Sequence, residues 1–331
     1  MSEFGRELTD LVRDLAKDAA PPVDGTLSAV WPRVIELGLV GIGIAEDHGG
    51  SGGSLGDLLV VIRELARAGL TTPIVEATTA ARAVGMPRPG LFDTIAVKEI
   101  VDFEHSAVTA DLGVVPYGSS ADRVVLVTDT AVLALASGDA DVLPTTDIAG
   151  QPTARIVARA ASCTRAADVD GARIMERLAM ARSASLLGSA RGAYELTRDY
   201  LLERRQFGKP LLEIPSVAAS LARMAVGING TQTALGRAVA VADEPGSPPM
   251  RRFGAAAAAR VEAARTATLV AASTHQLHGA IGITEEYPLH RYTRALWAQR
   301  DADRAEREWS ARIGATAVAL DEDVLWDQLT G

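Results

Sequence analysis

Two short segments of this 331-residue chain combine cations, glycines and an aromatic in a way that suits an anionic ligand. The first is Arg204-Arg205-Gln206-Phe207-Gly208-Lys209-Pro210. A guanidinium can hold a diphosphate through two parallel N–H donors, and a glycine lets the backbone come close. The same cations would equally offset the dipole at the C-terminus of a helix. The second is Gln276-Leu277-His278-Gly279-Ala280-Ile281-Gly282-Ile283-Thr284-Glu285-Glu286-Tyr287-Pro288, whose close glycines again admit phosphates to the backbone. Its plainer reading is a helix C-cap followed by a turn.

Other spacings suggest chemistry but lack the setting for it. Gly49-Gly50-Ser51-Gly52-Gly53 has the G-x-S-x-G form of a hydrolase nucleophile elbow, with a helix expected after it. An elbow also needs a strand directly before the serine and a broad sheet around it, and Asp47-His48 stands there instead. A flexible turn is expected. Gly41-Ile42-Gly43 is too incomplete for a dinucleotide fingerprint. His275 and His278 lie three residues apart on one expected helix, without a Glu-x-x-His pair or a carboxylate cluster. They read as helix-end histidines and not as metal ligands. The single cysteine, Cys163, excludes an internal disulfide framework and reads as a buried structural thiol in a reducing compartment.

The elements that must position these residues change character twice along the chain. Leu8, Leu11, Val12 and Leu15 recur at helical spacing, and Pro21-Pro22 is expected to end that helix. Leu55, Leu58, Leu59, Ile62, Leu65 and Ala66 form one apolar stripe, with Asp57, Arg63, Glu64 and Arg67 on the other side. The stretch 38–50 between them is too rich in glycine for a helix. Val124 to Thr128 and Ala131 to Ala136 are short β-favouring runs with Thr-Asp-Thr between them.

Beyond Gly171 the pattern is helical again, with Leu186, Ala190, Ala193, Tyr194, Thr197 and Leu201 on one face and Arg191, Glu195, Arg198 and Asp199 opposite. Pro210 and Pro215 end that helix, and two further helices are expected over 216–243 and 250–277, split by the prolines at 245, 248 and 249. The fold class is therefore α+β and mostly α. It comprises an N-terminal helical domain over 1–90, a reduced middle β-domain over 91–167 and a C-terminal helical bundle over 168–331.

Composition narrows the function classes. Hydrophobic residues make up 48% and charged residues 23%, which describes a folded chain and not a disordered one. A net charge of −9 offers no basic stripe for nucleic acid. The acidic start lacks the apolar core of a signal peptide, and no apolar run reaches the roughly 18 residues of a membrane span. A soluble, cytoplasmic protein is expected.

Together and in this order, the two glycine-bearing segments resemble the acyl-CoA dehydrogenase family, whose members carry R-x-Q-F-G after a long helix and Q-x-x-G-G-x-G further on. The run from Trp31 to Ile42 and Glu46-Asp47-His48-Gly49-Gly50 resemble the family's N-terminal domain, so the likeness spans nearly the whole chain. The resemblance implies an FAD-dependent reaction. FAD takes the β-hydrogen of an acyl-CoA as hydride while a carboxylate removes the α-proton, giving a trans-2-enoyl-CoA. It also implies that Arg204, Gln206, Phe207, Gln276 and Gly279 contact the pyrophosphate and adenine side of an FAD shared across a subunit interface. The flavin ring would rest on the β-domain of the other subunit.

Departures from the family pattern bear on catalysis. The family's usual glutamate base maps onto Asp303, in Ala302-Asp303-Arg304-Ala305, one methylene shorter and without the family's neighbouring glycine and threonine. Asp303 with Glu306 three residues on also reads as an N-terminal helix cap, and the cap is the expectation. Where some members place the base on the long helix before R-x-Q-F-G, this chain has Leu178, which cannot move a proton. Glu176 is two residues away, roughly 200° around a helix, and would face elsewhere. The family's flavin-ring signatures, Y-x-M-T-E-x-x-A-G-S-D and W-I-T-N, have no counterpart, and Ser120 to Val127 resembles only the strand that follows them. Gly279-Ala280 stands where the family has two glycines.

This pattern resembles the short subunits of actinobacterial α2β2 acyl-CoA dehydrogenases, which often act on steroid side-chain CoA thioesters. It implies a chain with no catalytic residue that completes the FAD site of a longer catalytic partner, the acyl-CoA being bound mainly by that partner. The alternatives are an autonomous homomeric dehydrogenase using Asp303 and a scaffold that touches no cofactor.

Overall fold

The computed structural model describes residues 3–319 apart from 18, 20–22, 88, 100, 105, 129–130 and 168. Pro21-Pro22, expected to end the first helix, lies outside the described residues. The chain divides into two compact units, Met1–Ile62 with Leu70–Leu178 and Arg63–Gly69 with Ala179–Gly331.

In the first unit, α1 (Glu3–Lys17) buries Leu8 and Val12, as their spacing predicts. α2 (Trp31–Glu36) starts with a proline in its first turn, where the missing N–H is not needed, and buries Trp31 and Val34. The glycine-rich stretch forms two 3-10 turns, Leu39–Gly41 and Glu46–His48, and no α-helix. Gly38 and Gly49 take positive φ at their borders, which other residues rarely adopt. α3 (Leu55–Arg67) and α4 (Ile74–Val84) follow.

Seven strands then form a single curled sheet. They are β1 (Asp93–Val97), β2 (Asp102–Glu104), β3 (Ala107–Pro116), β4 (Arg123–Val127), β5 (Val132–Ala136), β6 (Asp141–Thr146) and β7 (Pro152–Arg165). The order is β1-β4-β5-β7-β3-β2, with β6 also paired to β7, and only β1 with β4 is parallel. β4 and β5 are the two runs legible in the sequence. β7 pairs with β6 over Pro152 to Val157 and with β5 over Cys163 to Arg165, so one long strand joins the two halves of the sheet. Val108, Leu112, Val124, Leu126, Leu133, Leu135 and Ile156 fill its core.

The second unit is helical. α5 (Gly171–Glu203) enters it at Ala179, and after a two-strand hairpin, β8 (Arg205–Gln206) with β9 (Lys209–Pro210), come α6 (Pro215–Asp243) and α7 (Pro249–His278). α8 (Leu289–Asp301) and α9 (Glu306–Ala319) complete it. The observed helices match the expected spans to within a residue or so. The two faces expected of α5 are present toward its C-terminal end, where Ala193, Thr197 and Leu201 are buried and Arg198 and Asp199 exposed, whereas every residue from 178 to 190 is buried. A helix covered on all sides carries no polar face to read.

The close packing is made by glycines. A Cβ at Gly188 would stand 2.1 Å from the Arg63 carbonyl oxygen, and one at Gly192 2.2 Å from the Tyr292 ring. The last turn of α3 therefore lies backbone to backbone on α5. This contact also corrects the expected polar side of α3. Glu64 is 4% exposed and pairs with Arg63 at 2.9 Å and with Arg67 at 3.2 Å, while Arg67 reaches Glu195 at 2.8 Å. In this last turn the polar side meets α5, and the charges of Glu64 and Arg67 persist there because they are paired. Gly188→Ala should destabilise the fold by at least the ~1–3 kcal/mol typical of overpacking, because the obstacle is backbone. Denaturant unfolding should show a lower midpoint, and an unchanged midpoint would disprove the close approach.

Candidate dinucleotide clasp

The first glycine-bearing segment begins where α5 ends. The Arg204 N–H still donates to the Tyr200 carbonyl at 2.8 Å, and the Leu211 N–H donates to the Arg204 carbonyl at 2.8 Å, closing the hairpin. Its two tip residues, Phe207 and Gly208, both have positive φ, 54° and 80°. Positive φ at both central positions is the hallmark of the hairpin turn whose twist matches the strands. Glycine takes that conformation freely, whereas phenylalanine does so at a cost of about 1–2 kcal/mol. Phe207 is also 89% exposed. A large apolar ring held out in solvent on a strained backbone adds nothing to this chain's core and is open to contact from outside it. Arg204, Arg205 and Gln206 are exposed beside it, and the Arg204 guanidinium has no side-chain partner among the described residues.

The second segment begins where α7 ends. Gln276 is exposed in the last turn, and Gly279 takes φ 61°, ψ −139°, a conformation essentially confined to glycine. A Cβ there would meet nothing within 4 Å, so the backbone faces open space. The Tyr200 ring stacks on the His278 imidazole with centroids 4.6 Å apart. That stack ties the end of α5 to the end of α7, and so brings Arg204 to the same end of the bundle as Gln276 and Gly279. The arrangement fits a dinucleotide diphosphate, with an unpaired guanidinium for the charge and an uncovered glycine backbone for close approach. Tyr200 and Tyr287 were not singled out in the sequence, though Tyr287 falls within the second segment and Tyr200 one turn before Arg204.

The structure overturns the cap expected at Asp303. α9 begins at Glu306, so Asp303 lies outside its first turn, and its carboxylate turns inward to Arg182. Arg182 Nε donates to Oδ2 at 2.7 Å and Nη2 to Oδ1 at 3.3 Å, while Nη1 donates to Gln299 at 2.8 Å. The two side chains are 1% and 6% exposed. Glu306 does not reach back as a capping partner but accepts from Arg265 at 2.9 Å. Arg260, also buried, donates to the carbonyls of Gln299, Arg300 and Ala302 and thereby caps the end of α8. Burial lowers its pKa to about 10, against the opposing charge of Asp303.

The remaining motifs resolve as structural features. The Ser51 hydroxyl donates to the Gly38 carbonyl at 2.7 Å, and a 3-10 turn, not a strand, precedes it, so there is no nucleophile elbow. His275 bonds the Thr293 hydroxyl at 3.0 Å, and no metal-holding cluster occurs among the described residues. Cys163 is buried in β7, and burial pushes its thiol up. Leu178 is 1% exposed and Glu176 is likewise buried. No helix of the described residues is long and apolar enough to cross a membrane.

Residues 2–87 match the family described as acyl-CoA dehydrogenase, N-terminal domain, and residues 170–300 match acyl-CoA dehydrogenase, C-terminal domain. The chain belongs to the acyl-CoA dehydrogenase family. It is 30% identical to the acyl-CoA dehydrogenase IpdE2 of Mycobacterium tuberculosis, over 86% of this chain and 85% of that one. It is 29% identical to the acyl-CoA dehydrogenase FadE34 of the same organism, over 95% of this chain but only 46% of the relative. Among solved structures, the ChsE4–ChsE5 complex of Mycobacterium tuberculosis aligns with a TM-score of 0.84 at 21% identity, over 97% of this chain and 99% of that one. Butyryl-CoA dehydrogenase from Megasphaera elsdenii aligns with a TM-score of 0.82 at 18% identity, over 96% and 99%. At these identities the structural likeness speaks for the fold.

Proposed function

We propose that this chain is a non-catalytic subunit of an FAD-dependent acyl-CoA dehydrogenase, supplying the diphosphate and adenine clasp to a longer catalytic partner in an α2β2 assembly. One observation carries the reading: Asp303, at the position of the family's usual base, is engaged on both oxygens by a buried arginine. A general base must present a free lone pair within about 3 Å of the proton it takes. Leu178, at the alternative base position, has no titratable group. Similarity to the ChsE4–ChsE5 complex favours a two-component assembly.

The chemistry that FAD supplies when bound is acceptance of the β-hydrogen of an acyl-CoA as hydride. This chain's residues bind and orient. Arg204 offers two parallel N–H donors to phosphate oxygens. Gln276 adds an amide donor, and the bare Gly279 backbone admits the diphosphate. Gln206 and Phe207, exposed on the hairpin beside Arg204, would meet the partner and the adenine side.

Flavin counting tests the proposal. Purified alone, the chain should hold little or no FAD, because the residues that would cradle the flavin ring are missing from its sheet. Co-purified with its partner, the assembly should hold one FAD per heterodimer. One tightly bound FAD per copy of the isolated chain would refute the proposal.

A further inference from the structure

Three rings meet between the ends of α5, α7 and the segment before α8. Tyr200 stacks on His278 at 4.6 Å, and Tyr287 lies 4.9 Å from His278 and edge-on to Tyr200 at 6.0 Å. His278 is only 4% exposed, so its two ring nitrogens must find partners inside the protein. Nδ1 lies 2.8 Å from the Thr274 carbonyl, which can only accept, so the proton sits on Nδ1. In the neutral ring Nε2 is then an acceptor, and the Tyr287 hydroxyl donates to it across 3.2 Å. The chain after α7 folds directly onto the base of this side chain, since a Cβ at Gly282 would stand 2.8 Å from the His278 Cβ.

Both halves of the clasp hang from this cluster. Arg204 is bonded through its N–H to Tyr200, and Gln276 and Gly279 lie within two residues of His278. We propose that His278, held between Tyr200 and Tyr287, is the positioning residue of the clasp, keeping Arg204 and the Gly279 backbone aimed at one diphosphate. The proposal rests on the clasp reading above. It assigns His278 no contact with the cofactor and no proton transfer.

The charge state of His278 gives the proposal a readout. The titratable groups facing the cluster are Tyr200, Asp199 and Glu203 from α5, His275 from α7, and Tyr287 itself. Asp199 is paired with Arg198. Burial pushes His278 below its ordinary value of 6.5, with the Thr274 carbonyl opposing and His275 reinforcing the shift. An unfolded chain takes up a proton near 6.5 that the folded ring refuses. The neutral arrangement is therefore fully favoured above that pH and is lost as pH falls below it toward the folded value. Protonation turns Nε2 into a donor and takes away the acceptor of the Tyr287 hydroxyl, so the cluster must rearrange.

FAD titrated into the deflavinated complex across about pH 5 to 8 tests this. Wild-type affinity should be level above about pH 6.5 and fall only at lower pH, where the folded ring takes up its proton. Tyr287→Phe keeps the ring and removes one hydrogen bond, and should weaken FAD binding about 3- to 10-fold near neutral pH. His278→Gln should bind more weakly still, with a level pH profile, because it has no group to titrate. Arg204→Ala is run beside them as the measure of the clasp itself. If Arg204→Ala weakens FAD binding while Tyr287→Phe and His278→Gln keep the wild-type affinity and pH profile, the positioning role is overturned and the clasp stands. If Arg204→Ala also leaves FAD binding unchanged, the clasp fails and the positioning role with it. Tyr287→Phe alone still decides the matter should the His278 variant not assemble.

Discussion

Alanine at both Arg204 and Arg205 should weaken FAD binding by the assembled complex about 10- to 150-fold, the loss expected for one charge-assisted hydrogen-bond pair of roughly 1.5–3 kcal/mol. The physical basis is the exposed guanidinium at the end of α5, without a side-chain partner among the described residues, beside a hairpin whose tip carries a strained and exposed phenylalanine. The double change matters because Arg205 stands next in line and could take over part of the contact. Neither side chain supports this chain's core, so the oligomer should stay assembled and the thermal midpoint should barely move. Arg204→Lys should recover only part of the affinity, because an ammonium cannot present two parallel donors. FAD titration into deflavinated complex decides the point. Unchanged affinity in an intact double variant would mean that this subunit does not touch the cofactor.

Removing Arg182 should have the largest effect on stability. Arg182→Met leaves the Asp303 carboxylate, 6% exposed, without its buried counter-charge. Breaking a buried pair from one side costs about 3–5 kcal/mol, far more than a surface pair contributes. Adding Asp303→Asn to Arg182→Met should restore part of that loss, because neither charge of the broken pair then remains, although Arg260 loses the opposing charge of Asp303. Asparagine also tolerates the positive φ of 62° found at Asp303. The same Asp303→Asn change, made alone, separates structure from chemistry. As an ion-pair partner Asp303 affects folding, so the flavin-loaded complex should keep most of its turnover. A catalytic base would instead lose at least ~10²-fold with flavin content intact. Turnover reduced to that extent in a stable, fully flavinated complex would make this chain a catalyst.

What the sequence determined by itself was whatever short-range signals encode. Helical spacing of apolar residues gave α1 and α3, Val-rich runs around Thr-Asp-Thr gave β4 and β5, and the prolines at 245, 248 and 249 marked the break between α6 and α7. The two glycine-bearing segments were legible as turns at helix ends because each is contiguous, with its glycines fixed by local backbone needs. Long-range partners left no such trace. β7 is rich in alanine and arginine, and extends only because β3, β5 and β6 pair along it. The middle of α5 is buried on every side, so no polar face betrays its orientation. Glu64 carries the signature of a solvated face, yet the backbone of α3 meets α5 at Gly188 and encloses it.

Asp303 shows the division most sharply. Its spacing to Glu306 is that of a helix cap, and local geometry alone would have left it there. Arg182, 121 positions away, took both carboxylate oxygens instead. A buried guanidinium needs a counter-charge or carbonyl acceptors, and only the folded bundle decides which groups supply them.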